Sequence, residues 1–426
     1  MTPWGHVRDK PYRKGTGRTS VEGVGTVMKR NMHGFYTVAL ALVLGVGCGE
    51  ASISETGEAE PIGENEEALT DCLVDATKEL FITDLSVIQD DRARGFGKWS
   101  FGYAVQEMTK GHAEQEFIKR FMESWLTDQT VDGLTIKARP RMEELVLAPW
   151  RAKSADGKTY ELDKAPMSLL AIVYRLDLRK RLNVGEGVGE GRLVYQVHGP
   201  DGRALPFTMI FEYRLPANRG QTPESWAREF HALGALPFGP EYNTKLEALT
   251  EKFVNAKTWQ GMPAGSVLNQ LRTNEIALTF GDASPLWELR QFEIDTRGRL
   301  LPASVGLTPD LVHNKSPLLT DFVKQNERKI LDGTYKVGSR FKGQPFNGGS
   351  ARVPTNTFLW EIPGVADDLR QKFSIGTCNG CHAGETTTNF LHVSRSRTGP
   401  ETRISDFILQ KELPFRVQEM KTLACP

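Results

Sequence analysis

The chain has 426 residues carrying 53 basic and 53 acidic side chains, and charged residues make up 25% of it. That balance does not suggest a nucleic-acid partner, which requires a concentrated basic face. The length exceeds what one hydrophobic core usually organises.

Residues 1–47 read as a leader. Met28-Lys29-Arg30 supplies a positive n-region and Phe35 to Val46 an apolar run too short to span a bilayer. The stretch is thus a signal peptide, with translation starting at Met28 or Met32. Its end, Leu44-Gly45-Val46-Gly47-Cys48, resembles the lipobox of bacterial lipoproteins, with the leucine one position further from the cysteine than that pattern has it. The resemblance implies cleavage before Cys48, lipidation of its thiol and a membrane partner through that anchor. With Gly49 following, it also implies a place at the outer membrane, in the periplasm. Cleavage by the ordinary signal peptidase would instead leave Cys48 a spare thiol.

Without residues 1–47 the chain keeps 46 basic and 51 acidic side chains, a mildly acidic balance. Residues 48–70 hold Glu50, Glu55, Glu58, Glu60, Glu64, Glu66 and Glu67 and neither Lys nor Arg. Like charges extend such a segment and nothing in it can bury a core, so it reads as an acidic linker.

The body, residues 71–360, mixes two periodicities. Phe117, Phe121 and Trp125 recur at four-residue spacing, as do Trp226 and Phe230, and Leu246, Leu249 and Phe253 make a third helical stripe. Thr222-Pro223 is a helix start, a capping hydroxyl before proline at the first helical position. Strands are predicted over Leu169 to Leu178, Arg192 to His198, Leu205 to Leu215, Asn274 to Phe280, Trp287 to Ile294 and Arg299 to Val305. Gly199-Pro200-Asp201-Gly202 turns the second into the third. Gly185 to Gly191, alternating glycine with acid, reads as a flexible loop. Strands and helices do not alternate regularly, so the predicted class is α+β with a largely antiparallel sheet.

Catalytic signatures are sparse. There is no G-x-S-x-G elbow, no H-E-x-x-H helix and no acidic calcium loop, which argues against a hydrolase of the usual kinds. Glu275, Glu288 and Arg290 either line a shared cleft or form a cross-strand ion pair on a solvated face. As paired carboxylates, Glu275 and Glu288 leave an exported hydrolase as the remaining enzymatic option. His231, on the Trp226 helix, reads as a packed or surface residue.

Residues 361–426 form a C-terminal segment around Cys378-Asn379-Gly380-Cys381-His382. Over Gly376 to His382 it resembles the attachment motif of c-type cytochromes, and a helix over Val365 to Phe373 suits that resemblance. It implies a haem c joined to Cys378 and Cys381, with His382 as proximal ligand. Only 44 residues follow His382, so any porphyrin must lean on the preceding body; His392 and Met420 are the candidate sixth ligands. The same residues permit two other chemistries. Cys378, Cys381, His382 and His392 offer a four-ligand zinc site, against which the adjacency of Cys381 and His382 works. Alternatively the two thiols close a local disulfide. Cys72 and Cys425 remain as a pair near the two ends of the folded part, which an oxidising compartment would bridge.

Over most of its mature length the chain is similar to a group of exported bacterial proteins. They share its Thr83-Asp84-Leu85-Ser86-Val87 opening, its Arg272-Thr273-Asn274-Glu275-Ile276-Ala277-Leu278 stretch and its Cys378-to-Thr386 ending. That likeness implies export and shared architecture, without an activity. The expected function is an envelope protein in electron transfer or haem sensing, with a redox protein as partner; the alternative is a non-redox binding or structural lipoprotein stapled by Cys378 and Cys381.

Overall fold

The computed structural model describes residues 72–425 apart from 112, 181–187, 218–219, 258–267, 296–297 and 397–398. The leader, Cys48, the acidic linker and residues 185–187 of the glycine-rich stretch lie outside these residues.

Alternating apolar side chains build one sheet. Its strands are β1 (Phe81–Ile82), β2 (Met167–Arg175), β3 (Glu190–His198), β4 (Ala204–Arg214), β5 (Leu268–Ile276), β6 (Trp287–Ile294), β7 (Leu300–Ala303) and β8 (Ala351–Val353). They lie in the order β1-β2-β3-β4-β5-β6-β8, with β7 beside β8 along the same edge of β6, and every pairing is antiparallel. The class is α+β. The β3–β4 hairpin turns where Gly202 takes a φ of +76°, a conformation open to glycine without strain.

One face of the sheet carries Leu193, Tyr195, Phe207, Phe211, Leu271 and Phe292, all buried. Against it pack α1 (Phe101–Thr109), α2 (Glu114–Met122), α3 (Pro223–His231) and α4 (Pro240–Val254), whose aromatic stripes enter this core. Helix α3 starts at the predicted place: Thr222 Oγ1 accepts the Ser225 N–H, and Ser225 Oγ accepts the Thr222 N–H. A second core gathers Trp287, Leu289, Ala351 and Trp360 with α5 (Pro317–Gln325) and α6 (Asp367–Ile375).

Residues 67–426, the C-terminal segment among them, form one compact unit. Phe373 and Ala383 belong to the second core, and Met420 of the last helix to the first. That segment runs through α6, the single turn α7 (Cys378–Cys381), a two-stranded ribbon β9 (Val393–Arg395) and β10 (Thr402–Ile404), and α8 (Leu413–Ala424). The ribbon covers the other face of the sheet: the Arg395 N–H donates to Gln196 Oε1 at 3.2 Å, and Thr402 Oγ1 donates to the Leu170 carbonyl at 3.1 Å. This covered face is charged. Arg192 bridges Glu190 at 2.6 Å and Glu212 at 3.3 Å, with Arg175 and Arg272 on the flanking strands. At the ends of the described chain, Cys72 and Cys425 form a disulfide with Cα atoms 6.1 Å apart.

Candidate functional site

The Cys-x-x-Cys-His stretch is held from behind by the residues between its cysteines. Thr377 caps α7, its Oγ1 accepting the Gly380 N–H at 3.1 Å and the Trp360 indole N–H at 2.9 Å. Asn379 is buried; its Oδ1 accepts from Thr308 Oγ1 at 2.9 Å and its Nδ2 donates to the Arg352 carbonyl at 2.6 Å. Gly380 lies so close to α6 that a Cβ would stand 2.1 Å from the Ser374 carbonyl oxygen. Glycine is therefore required there by packing. With Asn379 and Gly380 turned inward, Cys378 and Cys381, three residues apart, share the other side of the turn. Both are free thiols that keep some accessible surface.

His382 follows directly. Its Nδ1 donates to the Phe390 carbonyl, and its ring stacks on Trp287 with centroids 4.4 Å apart. A proton held at Nδ1 by a carbonyl leaves the lone pair on Nε2, as in a metal-ligating imidazole. Burial pushes the His382 pKa well below its ordinary value, with neighbouring His392 adding to the effect. His392 is lowered to about 4, again by burial. The Cys378 and Cys381 thiols are pushed up by burial. At neutral pH the site thus offers neutral imidazoles and protonated thiols. That counts against thioredoxin-like exchange, which needs a thiolate.

His392 lies beside both. Its Nε2 is 3.3 Å from Cys381 Sγ, its Nδ1 is 2.8 Å from Ser405 Oγ, and its ring centroid is 4.4 Å from that of His382. Two imidazoles trans across one iron need centroids about 6 Å apart, given metal–nitrogen bonds of about 2 Å on each side. As placed, His392 does not face His382 across an iron. Met420 is fully buried in the first core. Among the described residues, three potential metal ligands converge within 4.8 Å at Cys72, His231 and Cys425.

Around the two thiols stand groups that the sequence did not single out. The charges of Arg175, Arg416 and Glu412 act on Cys381, and that of Arg272 on Cys378. Arg416 is 4% exposed, with Nε and Nη1 lacking a hydrogen-bond partner, and burial lowers its pKa to about 10. The buried Trp287 indole N–H, beside His382, also has no partner. Buried donors without acceptors are uncommon in a finished interior. Two free thiols on one side of a turn thus stand directly before an imidazole whose Nδ1 is held, with buried donors nearby that have no hydrogen-bond acceptor.

Glu275, Glu288 and Arg290 do come together, but they line no cleft and face no solvent. The two glutamates are directly opposed on β5 and β6, and all three side chains are buried. Arg139, itself wholly buried, joins them: its Nε meets Glu275 at 2.8 Å, its Nη2 meets Glu288 at 2.5 Å and its Nη1 meets Asp282 at 2.7 Å. Arg290 bonds Glu288 at 3.2 Å, Trp125 Nε1–H donates to Glu275 at 2.6 Å and Ser350 Oγ–H to Glu288 at 2.6 Å. Every carboxylate oxygen of Glu275 and Glu288 is occupied. His231 is a packed, part-buried residue that contacts Cys72 and Glu79.

No family model, curated protein or solved structure matches the chain.

Proposed function

We propose that this is an exported, lipid-anchored envelope protein that carries a covalently attached c-type haem and serves in electron transfer or haem-based sensing. One observation carries the reading. Helix α7 sets two free thiols on one side of a turn directly before an imidazole whose Nδ1 is held by the Phe390 carbonyl. Cys378 and Cys381 would each add S–H across a porphyrin vinyl group, sulfur to one carbon and hydrogen to the other, with no net oxidation. His382 would hold the iron through Nε2. When bound, the group supplies one-electron chemistry.

The chain's own residues do the rest. Thr377, Asn379 and Gly380 fix the thiols, and Trp287 fixes the plane of His382. Export rests on the residue 28–47 signal and anchoring on Cys48. Among the described residues no helix is long and apolar enough to cross a membrane.

Protein produced with the cytochrome c maturation machinery should keep its colour through a denaturing gel, since thioether bonds survive unfolding. Cys378→Ala with Cys381→Ala should abolish that colour, and a wild-type band without it would refute the attachment. Labelled palmitate should enter the wild type and not Cys48→Ser; equal labelling of the two would refute the anchor.

A further inference from the structure

The disulfide has neighbours that a cross-link alone does not require. Cys72 Sγ lies 3.3 Å from Nε2 of His231, the last residue of α3, and His231 Nδ1 lies 2.8 Å from Glu79 Oε2. The Glu79 side chain is wholly buried, and its other oxygen accepts the Asp75 backbone N–H at 2.8 Å. Gly234, in the turn after α3, makes room for it: a Cβ there would stand 2.2 Å from Glu79 Oε1. Taking a carboxylate out of water costs several kcal/mol. Here it fixes one imidazole. The carboxylate at Nδ1 makes that nitrogen the donor and turns the Nε2 lone pair towards the sulfurs, the arrangement in which carboxylates support zinc-bound histidines. Cys72 Sγ, Cys425 Sγ and His231 Nε2 lie within 4.8 Å of one another, and all three residues are partly exposed.

We propose that, once the Cys72–Cys425 disulfide is reduced, its two thiolates and His231 Nε2 form a zinc site, with Glu79 as the outer partner of the imidazole and a fourth position left for water or an external ligand. Two thiolates and an imidazole are a known zinc donor set when the metal keeps an open position. With Zn–S bonds of about 2.3 Å, a tetrahedral ion needs its sulfurs about 3.8 Å apart. Side-chain rotation about Cα atoms 6.1 Å apart supplies that separation.

The chemistry balances in two steps. A dithiol reductant gives two electrons and two protons to the disulfide, yielding two thiols and becoming a disulfide itself; zinc then displaces the two thiol protons. Cross-link and metal are mutually exclusive, so Cys72 and Cys425 are held together either by a covalent bond or by a metal. The site shares no residue with the Cys378–His382 stretch and does not depend on the haem reading.

The test uses the full chain carrying Cys378→Ser and Cys381→Ser, so that Cys72 and Cys425 are the only thiols of the described residues. Zinc(II) is titrated into reduced and oxidised samples and counted by native mass spectrometry, with cobalt(II) as a spectroscopic probe of sulfur ligation. One zinc per chain is expected after reduction and none before, with a sulfur-to-cobalt charge-transfer band. Glu79→Gln should weaken zinc binding by roughly 10- to 100-fold. His231→Ala should weaken it at least as much; if that variant fails to fold, His231→Gln takes its place. A reduced, folded chain that takes up no zinc, or binds it equally well in both His231 variants, would overturn the proposal.

Discussion

The molecule holds two constellations of two cysteines and a histidine, built in opposite ways. Around Cys378, three consecutive features of the sequence make the site: cysteines three residues apart, a glycine before the second and a histidine after it. Around Cys72, nothing is local. Cys72 and Cys425 are 353 residues apart, and His231 comes from a helix between them. The first pair stands apart with its thiols free, while the second is closed into a bond. In each, the imidazole's Nδ1 is held by an oxygen, the Phe390 carbonyl in one and the Glu79 carboxylate in the other. A local motif can thus leave its thiols free, whereas a long-range one closes the fold.

The largest expected effect concerns stability. Reducing the cross-link, or Cys72→Ser with Cys425→Ser, should lower the unfolding free energy by on the order of 4 kcal/mol, because a very long loop is released in the unfolded chain. Cys378→Ser with Cys381→Ser in haem-free protein should cost about 1 kcal/mol or less, since those thiols are part-exposed and form no disulfide. Urea titrations of the two double variants compare them directly, and equal losses would erase the distinction.

Each constellation also rests on a glycine, which sharpens the contrast. Gly380→Ala drives a methyl group into the Ser374 backbone carbonyl and should cost about 2–3 kcal/mol while reducing covalent haem in matured protein. Gly234→Ala presses on a side-chain carboxylate instead, so a loss nearer 1 kcal/mol is expected, measured by thermal or urea unfolding.

The smallest effect involves His198, which belongs to neither constellation. Its Nε2 lies 2.7 Å from Ser168 Oγ, its Nδ1 donates to the Gly202 carbonyl at 3.0 Å, and burial lowers its pKa. The unfolded chain therefore takes up this proton near pH 6.5 while the folded chain stays neutral. Its share of stability is full above that pH and falls as pH drops towards the lowered folded value. His198→Gln should flatten the stability profile slightly between pH 7 and 5; an unchanged slope would show that folding leaves the pKa of this imidazole where it is in the unfolded chain.

Local patterns carried much of the fold. The Arg192–His198 and Leu205–Leu215 strands and their turn follow from alternation and from the glycines at 199 and 202, and the aromatic stripes of the helices lie in the core. Asn274 to Phe280 was only partly a strand: Ala277–Phe280 is a 3₁₀ turn, while the strand begins at Leu268. Its early half was not legible because Gln270 and Arg272 look like surface residues, although both meet Glu212 on the neighbouring strand. Glu275 and Glu288 were legible as a pair. Their burial was not, because it depends on Arg139, 136 residues before Glu275. The Cys378 motif was visible from its spacing alone. The second constellation was half visible, as a leftover pair of cysteines, and no local signal tied His231 or Glu79 to it.

The central claim is most directly tested by the intact mass, under denaturing conditions, of wild-type chain matured with the cytochrome c machinery. The account predicts one porphyrin retained per chain and absent from Cys378→Ala with Cys381→Ala. A mass with no added porphyrin, together with a Cys378–Cys381 disulfide in unreduced peptides, would contradict it.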